Sequence, residues 1–253
     1  MNMLVDLFAT CLGEQFFAED VADSVRLLRH LGVEVDFPEG QTCCGQPAFN
    51  AGHRAEARRA AEHTLRIFDS YDHIVLPSGS CTGMLRHYFG PLLDDLGEGE
   101  EAAGPGSELG ARSYELSQFI VGVMGVEVLG RGLEGLKVCY HHGCHALRML
   151  GVREEPLTLL RSAGAKVCGW EADEECCGFG GVFSVKVPQV SGAMADRKLD
   201  TLPDVDFVTS ADGGCLLHLG GRASMRGELV LCRHLASVLW DAVGTGGKGV
   251  DRE

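Results

Sequence analysis

The amino-acid sequence predicts an α/β protein made of two tandem copies of a Rossmann-like parallel-sheet unit, related by pseudo-two-fold symmetry. Three observations predict this: short apolar segments alternate with longer amphipathic ones, a four-cysteine pattern occurs twice, and the segments around it occur twice as well. Alternating strands and helices are typical of a parallel sheet covered on both faces. We expect a first unit over residues 1–130, a second over 131–245, and a disordered tail over 246–253.

The first unit shows the alternation most clearly. Apolar, strand-like runs occupy residues 3–9, 33–37 and 73–77, and helix-like periodicity occupies 19–32 and 53–69. Residues 97–112 are rich in Gly and Glu with little to bury, which predicts a mobile surface insertion. An apolar-periodic helix over 114–124 is expected to close the unit.

The second unit repeats these segments. "LLRHLGVEV" from Leu27 is matched by "LLRSAGAKV" from Leu159, and "DHIVLPSGSC" ending at Cys81 by "VDFVTSADGGC" ending at Cys215. A closing helix is expected over 229–240. A repeated supersecondary unit accounts for all of these matches.

Composition narrows the possible functions. The formal charge of -14, from 22 basic and 36 acidic side chains, argues against nucleic acid or an anionic membrane surface as a partner. The first residues lack a basic leader, and no window reaches about 18 uninterrupted apolar residues, so we expect a cytoplasmic protein without a membrane span. The 11 cysteines are then expected to be reduced, and a small molecule or another protein is the expected partner.

Eight of the cysteines form the repeated pattern. The sequence Cys-x31-Cys-Cys-Gly-x35-Cys is followed by Cys-x31-Cys-Cys-Gly-x36-Cys at an offset of 133 or 134 residues. Each cysteine falls in a loop after a predicted strand, and such loops gather at one edge of a parallel sheet. We therefore predict one four-thiol site per unit. The two sets are Cys11, Cys43, Cys44 and Cys81, and Cys144, Cys176, Cys177 and Cys215.

Four convergent thiols are suited to one tetrahedral zinc ion or one [4Fe-4S] cluster. Two consecutive cysteines favour the cluster, since neighbouring residues rarely direct both sulfurs at one small ion. Gly45 and Gly178 follow the doublets, where a missing side chain lets backbone N–H groups approach the sulfurs. Disulfide pairing is the alternative for the doublets, and packing as small apolar residues is expected for Cys139, Cys168 and Cys232.

The doubled pattern resembles the duplicated cysteine-rich CCG domain found in heterodisulfide reductases, glycolate oxidase iron-sulfur subunits and lactate-utilization iron-sulfur subunits. "YHHGCH" at 140–145, "CCGFGGVFSVK" at 176–186 and "ADGGCLLHLGG" at 211–221 are most similar to the last group. This resemblance implies a cytoplasmic iron-sulfur redox subunit, with two clusters, of a system that oxidises L-lactate or a related 2-hydroxy acid. It also implies two partners, a ferredoxin-like iron-sulfur subunit and a further lactate-utilization subunit.

The sequence departs from the heterodisulfide reductase pattern at one position in each unit. Those relatives carry a fifth cysteine three residues beyond the last one, where this chain has Met84 and His218. The cysteine count therefore favours four-cysteine clusters over a noncubane cluster. A heterodisulfide-reductase-like catalyst and a zinc-binding structural scaffold remain the alternatives.

Three histidines are candidate catalytic residues because an unperturbed imidazole titrates near neutrality. His218 is a candidate proton relay or iron ligand, with a structural role as its alternative. His142 and His145, which cluster with His141 around Cys144, are candidate general bases for a 2-hydroxy acid. Arg148 and Arg222 are the candidates for binding a substrate carboxylate. The sequence contains no GxGxxG motif with a downstream acidic residue. Either a partner supplies flavin or nicotinamide, or the clusters act by a different route.

Overall fold

The structure, a computed structural model, describes residues 3–68, 73–94 and 104–244. The predicted tail at 246–253 lies outside these residues, as does the first part, 97–103, of the predicted insertion at 97–112. The end of that insertion is helical from Pro105 to Ala111. Leu109 is buried in this helix, and Gly106 and Gly110 lie so close to the preceding helix that a Cβ atom would come 2.6 Å from the Phe89 and Leu85 carbonyl oxygens.

The first unit contains four strands and seven α-helices in these residues, and a π-helical turn at Phe119–Val123 closes it. The strands are β1 (Leu4–Leu7), β2 (Glu34–Asp36), β3 (Ile74–Leu76) and β4 (Ser113–Glu115). The helices are α1 (Cys11–Phe16), α2 (Ala18–His30), α3 (Gln46–Asn50), α4 (Arg54–Ile67), α5 (Gly79–Leu93), α6 (Pro105–Ala111) and α7 (Leu116–Gln118).

The second unit repeats this order. Its strands are β5 (Lys137–Tyr140), β6 (Lys166–Val167), β7 (Phe207–Ser210) and β8 (Cys232–His234). Its helices are α8 (Cys144–Met149), α9 (Glu154–Ser162), α10 (Val182–Lys186), α11 (Pro188–Asp200), α12 (Gly213–Met225) and α13 (Leu235–Ala242).

Each unit has its own parallel sheet, and the two sheets have equivalent strand orders, β2-β1-β3-β4 and β6-β5-β7-β8. The registers agree as well, since Asp6 lies opposite Ile74 in one sheet and its equivalent, Cys139, lies opposite Val208 in the other. Helices flank both sheets. The predicted architecture of two tandem Rossmann-like α/β units is confirmed.

The predicted closing helices over 114–124 and 229–240 are partly wrong, because each begins with the fourth strand of its sheet. β4 and β8 have three residues each and contain Glu115 and His234, so neither shows the apolar alternation typical of a strand. These two polar residues cap the helices that follow. A Glu115 carboxylate oxygen accepts hydrogen bonds from the Ser117 and Gln118 backbone N–H groups, and His234 Nδ1 accepts one from that of Ala236.

The largest apolar core belongs to both units. Val5 and Leu7 of β1 belong to the same buried cluster as Val138 and Tyr140 of β5 and Leu239 of α13. Each helix contact between the units occurs twice, at equivalent positions. The contact of α2 with α13 is equivalent to that of α9 with α7. The contact of α1 with α12 is equivalent to that of α8 with α5. Each sheet has one smaller apolar core on its outer side, and the cysteine doublet of that unit borders it.

Helix length in the described parts of the chain falls short of a bilayer crossing. The longest helix, α5, has 15 residues, and none of the described helices combines sufficient length with sufficient apolarity to span a membrane.

Candidate functional site

The eight cysteines of the repeated pattern lie around a single cavity of about 210 Å³ between the two units. Cys11 and Cys144 begin the helices that follow β1 and β5, and Cys81 and Cys215 lie in the first turns of α5 and α12. The carboxyl ends of the central parallel strands therefore bring both sets to one place, as the sequence predicts. The two four-cysteine sites therefore line the same cavity.

In the first unit the sulfurs approach one another in pairs. Cys11 Sγ lies 3.6 Å from Cys43 Sγ, and Cys44 Sγ lies 3.4 Å from Cys81 Sγ. All four are free cysteines in this structure. Thr10 precedes this set with a φ of 68°, and its hydroxyl caps α1 by accepting a hydrogen bond from the Gly13 N–H.

The second unit brings its four cysteines together in the same way but adds histidine. His145 Nδ1 lies 3.5 Å from Cys144 Sγ. The side-chain donor atoms of His141, Cys177 and Cys215 all lie within 4.8 Å of one another, and all three residues are buried. This second set contains a nitrogen donor close to two sulfurs.

Proton sharing among the thiols stabilises one thiolate in each unit. Hydrogen bonds from the Cys11 and Cys44 thiols hold the pKa of Cys43 well below its usual range, and hydrogen bonds from Cys144 and Cys177 do the same for the pKa of Cys176. The same hydrogen bonds, together with burial, raise the pKa values of the four donor thiols, Cys11, Cys44, Cys144 and Cys177. Thiolate is the form that binds metals.

Gly45 and Gly178 have left-handed backbone conformations, with φ of 84° and 90°. A Cβ on Gly178 would lie 2.6 Å from the Ser191 carbonyl oxygen, and one on Gly45 would lie 3.2 Å from that of Ala57. The Gly45 N–H also donates to Cys43 Sγ at 3.4 Å, and the Phe179 N–H donates to Cys177 Sγ at the same distance. Each glycine thus turns the chain sharply after the doublet and lets the backbone approach the sulfurs.

The three candidate catalytic histidines lie in different places. His145 lines the cavity, whereas the other two are not among its lining residues. His218 Nε2 lies 3.1 Å from Ser191 Oγ, and His142 is buried against Tyr140, where burial lowers its imidazole pKa. The structure therefore places one of the three where it could meet a ligand.

The two candidate arginines do not line the cavity. Arg222 pairs with Asp196 at 2.6 Å, and Arg148 is exposed on α8. Among the described residues, those that line the cavity include no lysine or arginine, while Asp20 and Asp212 bring carboxylates. A carboxylate substrate would find no fixed cation there.

Asp212 is a site residue that the sequence analysis missed. Its Oδ1 accepts a hydrogen bond from the Ser80 N–H at 2.8 Å and lies 3.4 Å from Ser78 Oγ, so it joins the second unit to the first turn of α5. Gly143 makes room for it, since a Cβ there would lie 2.0 Å from Asp212 Oδ2. The signal was available in the alignment of the two repeats, which puts Ser78 and Asp212 at equivalent positions.

Comparison with known proteins agrees with the duplication. The cysteine-rich domain family named CCG matches twice, over residues 5–86 and 138–220. Proteins named lactate utilization protein A are similar along nearly the whole chain. That of Geobacillus sp. (strain WCH70) is 43% identical over 94% of this chain and 99% of its own length. Those of Anoxybacillus flavithermus and Bacillus subtilis are 44% and 42% identical, each over 94% of this chain and 99% of their own length.

Fold and site together define a duplicated cysteine-rich α/β protein whose two thiol sets face each other across one cavity. The chain belongs to the family of CCG-domain proteins that includes those named lactate utilization protein A. Each unit offers four sulfur donors, one of them a stabilised thiolate, and the second unit adds the His141 imidazole. Such donors fit a metal ion or an iron-sulfur cluster.

Proposed function

We propose that the chain is an iron-sulfur redox subunit of a multi-subunit system that oxidises L-lactate or a related 2-hydroxy acid. The observation that carries the proposal is the placement of two four-cysteine sets on a single cavity between the units. The names of its relatives, which share 42 to 44% of their residues with it, supply the substrate class. The partners in this proposal are a ferredoxin-like iron-sulfur subunit and a further lactate-utilization subunit.

Each unit would hold one [4Fe-4S] cluster through its four cysteines, and such clusters accept and release single electrons when bound. The chain's own residues prepare the two sites. Backbone N–H groups at Gly45 and Phe179 donate to thiol sulfurs, which stabilises negative charge on them. Apolar side chains from Phe8, Met84 and Trp170 surround the buried cysteines and keep water away.

An electron-transfer role agrees better with the cavity than substrate turnover does. Hydride removal from a 2-hydroxy acid normally requires an organic cofactor and a cation for the carboxylate. In the described parts of the chain, the lining residues supply no such cation. In this proposal the chemistry on the 2-hydroxy acid takes place on a partner subunit, and this chain carries the electrons.

The test is to measure iron, acid-labile sulfide and zinc on protein purified without oxygen, together with its visible spectrum. We expect iron and sulfide near eight per chain, from four-cysteine ligation of a four-iron cluster in each unit. Cys44→Ser and Cys177→Ser should each reduce the iron content to about half, since each removes one ligand from one unit. Cys168→Ser, which changes a half-buried cysteine outside the cavity, is the matched control and should retain all the iron.

A colourless protein with about two zinc ions and no sulfide, unchanged after anaerobic reconstitution, would contradict the redox proposal and favour a zinc scaffold. Reduction of a disulfide substrate by the isolated chain would favour the heterodisulfide-reductase-like alternative. Met84 makes that alternative difficult, because its fully buried thioether occupies the place of a fifth thiolate.

A further inference from the structure

The two thiol sites differ in the residue that directly follows the first strand of each unit. Phe8 follows β1 directly and precedes Cys11 by three residues, and His141 follows β5 directly and precedes Cys144 by three residues. Phe8 packs on Phe68 with ring centroids 5.1 Å apart, in the same apolar cluster as Cys44 and Cys81. The His141 imidazole therefore lies beside Cys177 and Cys215 of the second unit, whereas the Phe8 phenyl ring lies beside Cys44 and Cys81 of the first.

The hydrogen bonds of His141 determine which ring nitrogen is available. Its side chain is fully buried, and Nδ1 lies 3.3 Å from the Asp173 carbonyl oxygen. A carbonyl oxygen only accepts, so Nδ1 carries the proton and Nε2 carries a lone pair. Nε2 has no hydrogen-bond partner among the residues that the structure describes. A buried nitrogen without a partner destabilises the folded state.

This arrangement is the one found at metal-ligating histidines. Such histidines usually donate the other ring N–H to a backbone carbonyl, which fixes the tautomer and the orientation of the ring. A ring nitrogen of His141 and the sulfurs of Cys177 and Cys215 lie within 4.8 Å of one another, close enough to share one metal atom. Since Nδ1 donates to the Asp173 carbonyl oxygen, Nε2 is the nitrogen with a lone pair to offer. A metal atom there would satisfy the unpaired nitrogen.

We infer that His141 supplies Nε2 as a ligand to the metal centre of the second unit, so that the two centres have different donor sets. The first centre has sulfur donors alone, and the second has sulfur donors and one imidazole nitrogen. The inference rests on the proposed function only in that the cysteines hold a metal.

A second buried difference increases this asymmetry. Lys198 of α11 is fully buried, and its ammonium lies 4.2 Å from the Trp170 ring and donates to the Ala172 carbonyl. The contacts of Gly45 with Ala57 and of Gly178 with Ser191 align α4 with α11 at an offset of 134 residues, which matches Lys198 to Thr64. A positive charge near the second centre favours its reduced form, and the first unit has no counterpart at that position.

The test requires no mutation at first. Protein grown with 15N-histidine and with natural histidine is purified without oxygen, reduced, and compared by pulsed electron paramagnetic resonance. We expect a histidine nitrogen coupling that changes with the isotope. His141→Phe, which copies the first unit, should abolish this coupling. His141→Gln, which keeps a polar side chain, should abolish it too and replaces the phenylalanine variant if that one folds poorly.

His145→Gln and His218→Gln are the matched controls, since both residues lie near the second cysteine set and both should retain the coupling. Loss of the coupling in His145→Gln alone would overturn the inference, because the nitrogen would then belong to the histidine beside Cys144. Absence of any isotope-sensitive coupling in a protein that binds iron and sulfide would also overturn it, and would leave the proposed function intact.

Cobalt(II) added to metal-free protein provides a readout that does not depend on cluster assembly. We expect visible d–d bands from two sites, with the bands of one site shifted in His141→Phe and those of the other unchanged. If the native protein lacks iron and sulfide but the cobalt bands shift as expected, the redox proposal fails while the histidine ligand stands. If His141→Phe leaves every cobalt band unchanged, the histidine ligand fails.

Discussion

Asp6 lies in the middle of β1 with a fully buried carboxylate, and in the described parts of the chain neither of its oxygens has a hydrogen-bond partner. Burial is the main reason that its pKa is raised to about 7, and the nearby Asp36 carboxylate adds to the effect. The equivalent residue of the second unit is Cys139, which is buried without a charge. Asp6 is therefore a position where the folded state holds a proton that the unfolded chain releases.

The sign of the pH effect follows from this difference. Between pH 4 and 7 the folded state binds more protons at Asp6 than the unfolded state, so the contribution of this residue to the free energy of unfolding falls as the pH rises. Asp6→Asn removes the ionisable group, so the free energy of unfolding no longer falls with pH at this position. We expect the variant to be more stable than the native protein at pH 8, by about 2 kcal/mol, and to lose that advantage near pH 4.

Urea denaturation of both proteins at several pH values measures the effect. Glu34→Gln is the matched control, since Glu34 is exposed on the neighbouring strand, and it should change stability by less than about 0.5 kcal/mol. A constant difference between Asp6→Asn and the native protein from pH 4 to 8 would mean that Asp6 is ionised throughout this range.

At the residue scale the sequence predicted the cysteines well and the histidines poorly. Spacing alone assigned eight cysteines to two sets, because loops after parallel strands have only one edge at which to meet. The sequence could not predict the direction in which each side chain points. Three histidines surround Cys144, and only the fold shows that His141 faces Cys177, His142 faces Tyr140 and His145 faces the cavity.

At the scale of elements, the loop after each doublet depends on its glycine. Gly178 has a φ of 90°, and a Cβ there would lie 2.6 Å from the Ser191 carbonyl oxygen in α11. Because the clash is with backbone, a side-chain rotation would not relieve it. The loop would have to move, and Cys176 and Cys177 would move with it.

We therefore expect Gly178→Ala to lose the second metal centre and retain the first, so that metal content falls to about half. Gly221→Ala is a suitable control, because a Cβ there meets nothing within 4 Å and the residue lies within α12. That control should retain all the metal and gain up to about 1 kcal/mol in stability. Full metal content in Gly178→Ala would show that the loop tolerates a side chain at this turn.

The elements that the sequence missed are those whose pattern is set by tertiary contacts. β4 and β8 are short and polar, and they form because the edges of β3 and β7 offer backbone partners. α6 is poor in apolar residues, yet Gly106 and Gly110 let it lie against the backbone of α5. The long amphipathic helices α2 and α4 were predicted to within two residues at each end, since their periodicity is intrinsic to their own sequence.

At the scale of the whole molecule, equivalent positions of the two units meet at Ser78 and Asp212. Ser78 caps α5, since its hydroxyl accepts a hydrogen bond from the Cys81 N–H. Asp212 is the residue at the same position before α12, but its carboxylate turns across the interface and accepts the Ser80 N–H instead. Cys81 and Cys215 each follow these two residues by three positions. One contact therefore fixes both helix starts and both thiol sets.

Because of this contact, we predict that substitution of Asp212 reduces metal binding in both units. Asp212→Ala leaves the Ser80 N–H without its acceptor and opens a gap beside Gly143, so we expect a loss of about 1–3 kcal/mol in stability. Metal content should fall in both units together, whereas Cys44→Ser and Cys177→Ser each affect one. Asp204→Ala, which changes an exposed carboxylate on the surface, should leave stability and metal content as they are. Cobalt bands lost from one site alone in Asp212→Ala would show that the two thiol sets are held independently, because a shared anchor must release both.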